Sequence, residues 1–145
     1  MQLVKDIGEA EQEIIDEFQV FDDWSDKYEH LIEAGKSMPL IDPKYKTEEY
    51  IVKGCQSQVW LNADYRNRRI HFTADSDAII TKGMIALLLR VLNDRTPDEI
   101  INAKLDFIDR INLKEHLSPT RANGLVSMVK KIKTYALAFK SMKFG

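Results

Sequence analysis

Cys55 is the single cysteine of the chain, and its neighbours are small or amide-bearing: Gly54 before it, then Gln56, Ser57 and Gln58. A thiolate is the strongest nucleophile such a stretch can offer, and it reacts readily with electrophilic sulfur. Free cysteine is also among the most buried residue types, so a small packed hydrophobe is the competing reading. The flanking residues favour an accessible thiol. A glycine permits a tight turn, and the three polar residues that follow carry donors able to stabilise a charged sulfur.

Other chemistry is poorly supplied. A cysteine hydrolase needs a base, yet His30, His71 and His116 have no spacing that pairs any of them with Cys55, and each reads as a surface or capping histidine. Structural zinc or iron–sulfur ligation calls for several cysteines or a tight Cys/His cluster. No metal site is therefore expected. The six glycines form neither a G-x-x-x-x-G-K-[ST] nor a G-x-G-x-x-G pattern, so a phosphate-cradling loop has no support. Asp75 and Asp77 stand just ahead of an apolar helical stretch, where carboxylates cap a helix and complement its dipole.

The elements that must position Cys55 can be read from hydrophobic period. Leu3, Ile7, Ile14, Ile15 and Phe18 recur at helical spacing, Asp22 and Asp23 interrupt, and Trp24, Tyr28, Leu31 and Ile32 mark a second helix that Gly35 is suited to end. Lys36 to Tyr50 contains Pro39 and Pro43 and reads as a surface loop. Tyr50 to Val52, Val59 to Ala63, and Ile70, Phe72 and Ala74 read as strands, with Tyr65 to Arg68 as a hairpin turn. Cys55 then lies in the loop between the first two. Ile79, Ile80, Met84, Leu87, Leu88 and Val91 return to helical period, with Asp75 or Ser76 as cap; this helix and Trp60 are expected in the core. Thr96, Pro97 and Glu99 announce a short helix, and Ser118-Pro119 opens a long one whose apolar face is expected to carry Ala122, Leu125, Val126, Val129, Ile132, Ala136 and Phe139. The expectation is one α+β domain over residues 1–145, a small antiparallel sheet packed against several helices.

Composition agrees with that class. The chain has 145 residues, 44% of them hydrophobic, which supplies one sizeable core. Its 21 Lys plus Arg and 23 Asp plus Glu give a formal charge of -2, which favours neither nucleic acid nor an anionic membrane as partner. The longest apolar run, Met84 to Leu89, is far short of the roughly 20 residues that span a bilayer. Met1 to Ala10 has no signal-peptide core, and a lone cysteine suits a reducing compartment. A cytoplasmic location is expected.

Gly54-Cys55-Gln56-Ser57-Gln58-Val59-Trp60 resembles the signature of the SufE family of sulfur-acceptor proteins. Asp75-Ser76-Asp77-Ala78 with Ile80 and Lys82-Gly83 resembles the family's next segment, and Leu117-Ser118-Pro119-Thr120-Arg121 with Asn123-Gly124-Leu125 its third, in the same order. The resemblance spans nearly the whole chain and implies a fold like that of SufE and IscU-type proteins. It implies that Cys55 receives persulfide sulfur from a SufS-like, pyridoxal-phosphate-dependent cysteine desulfurase, stimulates that enzyme, and delivers sulfur to a SufBCD-like scaffold complex. The chain would then be an accessory carrier rather than an enzyme, with no cofactor of its own. Gly54, Gln56, Ser57 and Gln58 match the supporting loop, and Asp77 and Arg121 match segments near the loop or the partner surface. The same motif fits a CsdE-like acceptor for a sister desulfurase, and a non-catalytic allosteric partner of a desulfurase is the reading from another class. Monomer and homodimer both stay open.

Overall fold

A computed structural model describes residues 6–142. Helix α1, Ile7–Gln19, opens on Asp6, whose carboxylate accepts the Glu9 N–H at 2.7 Å; the expected contribution of Leu3 lies outside the described residues. Asp23 does the same for α2, Trp24–Lys36, accepting from Asp26 N–H. The two aspartates between the helices thus break one and start the next, as their residue type predicts.

The chain then crosses the surface through two single 3-10 turns, Pro43–Tyr45 and Glu48–Tyr50, before the hairpin of β1, Val59–Arg66, and β2, Arg69–Ser76. Its strands pair antiparallel from Val59 opposite Ser76 to Arg66 opposite Arg69. Asn67 and Arg68 alone make the turn, both at positive φ (54° and 65°), the geometry that matches strand twist in a two-residue hairpin. The expected third strand, Tyr50 to Val52, shrinks to one bridge between Ile51 and Trp60 with a Val52 N–H to Val59 C=O bond of 2.8 Å. β-forming side chains are present there, but the chain turns away after Val52 and the ladder ends.

Helix α3, Ile79–Leu92, is buried almost all round and is the hub on which α1, α2, α6 and β2 pack. Met84, Leu87, Leu88 and Leu92 are at most 1% exposed, consistent with the apolar stripe read there. Gly35 has a different role from the helix terminator expected of it. It lies inside α2, where an added Cβ would stand 2.9 Å from the Gly83 nitrogen, and a Cβ on Gly83 would collide with the Leu31 carbonyl. The pair lets the α2 and α3 backbones touch, and Ser37 takes the helix end.

Thr96 and Glu99 form a reciprocal capping box at α4, Pro97–Asn102. After the four-residue α5, Phe107–Arg110, Ser118 accepts the Arg121 N–H at 3.3 Å and starts α6, Pro119–Ser141. His116 stacks on Trp24 with ring centroids 3.8 Å apart, and the Tyr28 hydroxyl donates to the His116 carbonyl. These contacts fix the approach to α6 against α2. The α+β expectation holds.

Candidate functional site

Residues 53–58 form the loop between Val52, next to the Ile51 bridge, and β1, and it is held at both ends. At its exit the hairpin gains one more rung: Asp77 N–H donates to the Gln58 carbonyl at 3.3 Å, while Gln58 N–H donates to the Asp77 carboxylate at 3.1 Å. The side chain of Asp77 takes the place a backbone carbonyl would hold in a regular ladder. The Ser76 hydroxyl donates to the same Gln58 carbonyl at 2.8 Å. At its entrance Gly54 has φ of 92°, and a Cβ there would collide with Ser127 of α6, so only glycine fits without strain and without shifting Ser127. Midway, Ser57 shares a 3.2 Å hydrogen bond with Thr81 of α3.

Cys55 is thereby pressed against α6. Its thiol donates to the Gly124 carbonyl over 3.6 Å, and an added Cβ on Gly124 would lie 3.6 Å from the sulfur. The missing side chain leaves methyl-sized room beside Sγ. A recess of about 230 Å³ opens there, floored by Met84 and Thr81 and edged by Gln56, Thr120 and Arg121. Burial pushes the Cys55 thiol above its ordinary pKa, because a half-buried thiolate loses hydration.

The expected site residues Gly54, Gln56, Ser57 and Gln58 are therefore all in the loop, Asp77 bonds Gln58 at its exit, and Arg121 lines the recess. The helix-cap reading of Asp75 and Asp77 is overturned: α3 has Ala78 at its N-cap and no side-chain cap bond. Asp77 is held by its register opposite Gln58. Asp75 pairs with Lys82 at 3.2 Å and Lys46 at 3.3 Å; burial opposes its ionisation, but the Ser76 N–H and the two lysines outweigh that and lower its pKa. Lys46 also lies over the buried Trp60 ring, which ties the long surface segment to the hairpin.

The histidines are occupied elsewhere. His30 contacts Glu17, His71 faces Asp94, and His116 stacks on Trp24. Among the described residues no three His, Cys, Asp or Glu side chains gather as a metal set, and no helix is long and apolar enough to cross a membrane.

Comparison with known proteins gives this loop a context. The sequence profile of SufE, an Fe-S metabolism associated domain, matches residues 12–136. The chain belongs to the SufE family. A SufE-like protein of Rhizobium meliloti (strain 1021) is 40% identical over 129 residues, covering 86% of this chain and 92% of that protein. One from Rhizobium etli is 42% identical over 131 residues, covering 86% and 87%. SufE-like protein 1, chloroplastic/mitochondrial, of Arabidopsis thaliana is 38% identical over 138 residues, which are 94% of this chain but 37% of that longer protein. In fold, the solution structure of a hypothetical protein from Thermus thermophilus superposes with a TM-score of 0.76 at 18% identity, covering 92% of this chain and 97% of that one. SufE membership assigns the chain an accessory part in iron–sulfur metabolism, in agreement with the resemblance read from the three motifs.

Thr81, Ser127 and the contact role of Gly124 were not anticipated in this SufE chain. A glycine inside a helical period signals close approach, so Gly124 was findable; Thr81 and Ser127 carry no local signal. The geometry makes one measurement direct. Iodoacetamide should alkylate Cys55 more slowly in the folded protein than in the urea-unfolded chain, with the rate-versus-pH curve displaced to higher pH. Asp77→Ala, which removes the carboxylate from Gln58 N–H, should narrow the gap. Equal rates in folded and unfolded protein would contradict the burial described. Because burial raises the Cys55 pKa, its contribution to stability is fully present below the thiol's unfolded pKa and is lost as pH rises through the folded one.

Proposed function

We propose that this SufE-family protein is a sulfur acceptor and carrier that works on a SufS-like cysteine desulfurase, with Cys55 as the persulfide site. The observation that supports this most is the methyl-sized room beside Cys55 Sγ, opening into a recess at the cysteine loop. The step is a transfer between thiols. The Cys55 thiolate attacks the terminal sulfur of the desulfurase cysteine persulfide, a new S–S bond forms on Cys55, and the donor's S–S bond breaks with its cysteine leaving as thiolate. No oxidant or reductant enters.

Among the described residues no histidine lines the Cys55 recess, and burial raises the thiol's pKa. Movement of the loop towards the partner, where the thiol gains water or partner donors, eases its ionisation. Thr120 and Arg121, in the first turn of α6, line the recess, where the positive end of a helix dipole favours an anion. Return of the loop shelters the loaded sulfur from oxidants until a SufBCD-like scaffold collects it. A CsdE-like acceptor would use the same residues with a sister desulfurase, and cognate partner identity separates the two.

The direct test is to incubate the chain with a SufS-like desulfurase and cysteine without reductant. The protein should gain the mass of one sulfur, found on the tryptic peptide from Gly54 to Arg66. An unchanged mass during desulfurase turnover overturns the proposal.

A further inference from the structure

Helix α6 has a second working face, turned away from Cys55. Gly124 and Ser127 meet the cysteine loop, whereas Val126, Val129, Lys130 and Lys133, set off by the helical rotation of about 100° per residue, border a groove of about 400 Å³ between α6 and the α4–α5 region. Its floor is apolar: Leu105, Ile108 and Leu125 lie beneath, and Val126 stays 52% exposed. Leu137, at 54% exposed, continues the stripe further along α6.

The rim is basic. Lys104, Lys114, Lys130 and Lys133 stand around the groove with Asp109 as the one carboxylate among the lining residues, in a chain whose formal net charge is -2. Lys133 is committed to the Ile101 and Ala103 carbonyls, where it closes the end of α4. Lys104, Lys114 and Lys130 make no ion pair among the described residues. Unneutralised lysines clustered around exposed aliphatic surface are poorly explained by stability, since exposed like charges repel and exposed valine and leucine gain nothing in water.

We infer that this groove docks an acidic segment of a partner protein, one that presents aliphatic side chains among its carboxylates. The aliphatic groups would bury Val126 and Val129, and the carboxylates would meet the three lysines. Because the groove and Cys55 lie on different faces of α6, an occupant leaves the thiol free to react. Docking there stands independently of sulfur transfer at Cys55.

The probe is a fluorescein-labelled synthetic helix of glutamates with leucines at helical spacing, followed by anisotropy against the intact protein. Saturable binding that weakens with salt is expected. The triple variant Lys104→Glu, Lys114→Glu, Lys130→Glu should bind about thirtyfold more weakly, from loss and reversal of three exposed charge pairs, and Val126→Asp should weaken it further. A control triple variant, Lys27→Glu, Lys36→Glu, Lys44→Glu, has the same net charge and should match the unaltered protein. Circular dichroism checks that each variant is folded. Absence of saturable binding, equal weakening by both triple variants, or equally tight binding of an all-glutamate peptide each overturns the inference. So does a dimer of the unaltered protein that the groove variant abolishes, which would assign the face to a second copy.

Discussion

Replacing Cys55 by serine is expected to abolish sulfur uptake and to return the partner desulfurase to its unassisted turnover, with the far-ultraviolet dichroism of the chain unchanged. The substitution is nearly isosteric, and the hydroxyl still reaches towards the Gly124 carbonyl that the thiol faces, so the loop keeps its place. What disappears is nucleophilicity: a serine hydroxyl is not appreciably ionised near neutral pH, and no histidine of the described chain is beside it to act as base. The measurement is cysteine consumption by the desulfurase with no protein added, with the unaltered chain, and with Cys55→Ser. Stimulation that survives the substitution undiminished would sink the acceptor mechanism and favour a partner that acts only by binding and shifting the desulfurase's conformation. Complete loss of stimulation with binding intact fits chemistry at Cys55 and nothing else in this chain, because there is no second cysteine.

The second large effect is structural. Gly83→Ala is expected to destabilise the protein by about 3 kcal/mol, the upper part of the range for overpacking a close-packed interior, which corresponds to a fall in melting temperature on the order of 10 °C at this chain length. The added Cβ meets the Leu31 carbonyl and carbon, and main chain cannot rotate away as a side chain can. Relief requires α2 to move off α3, opening the contact around Leu31, which is fully buried. Gly8→Ala is the matched comparison. There the new methyl group reaches only Asp6 Oδ1 at 3.4 Å, on an exposed helical turn, and the substitution should stabilise by a few tenths to about 1 kcal/mol. Thermal unfolding of both variants tests the pair; a Gly83→Ala protein as stable as the parent would mean that the helices are free to separate at little cost.

The contrast between those glycines shows what a single sequence reveals. Thr96 with Glu99, and Ser118 ahead of Pro119, were legible because both partners of each bond lie within one turn of helix. Gly35 was misread because its reason is Gly83 in another helix, and a glycine near a helix end looks the same whether it terminates the helix or admits a neighbour. The helix-cap reading of Asp77 failed for a similar cause. Its partner, Gln58, is chosen by the register of β1 on β2, which hydrophobic alternation indicates in face but not in alignment. Cys55 itself was conspicuous from composition and flanks, yet its recess is assembled from Met84, Thr120 and Gly124, residues whose local patterns say only core, helix start and helix interior. Ordered motif resemblance put Thr120 and Gly124 in one family pattern with Cys55; Met84 stood outside it.

The mixed rung at Gln58 and Asp77 bears on how the cysteine loop is released. It continues the pairing of Val59 with Ser76 at the hairpin end farthest from the Asn67–Arg68 turn, where a zipper frays first. Opening it forfeits the three hydrogen bonds at Gln58, worth about 1 kcal/mol each net of those regained from water, which puts a frayed form at roughly half a per cent. A desulfurase that grips the frayed loop needs to favour it by only a few kcal/mol to make it the majority. The core behind it, α3 with Leu87 and Leu88 sealed from water, stays closed throughout. On the proposed function, release of the cysteine loop opens the rung at Gln58 together with the Ser57–Thr81 and Cys55–Gly124 bonds, a local opening distinct from unfolding.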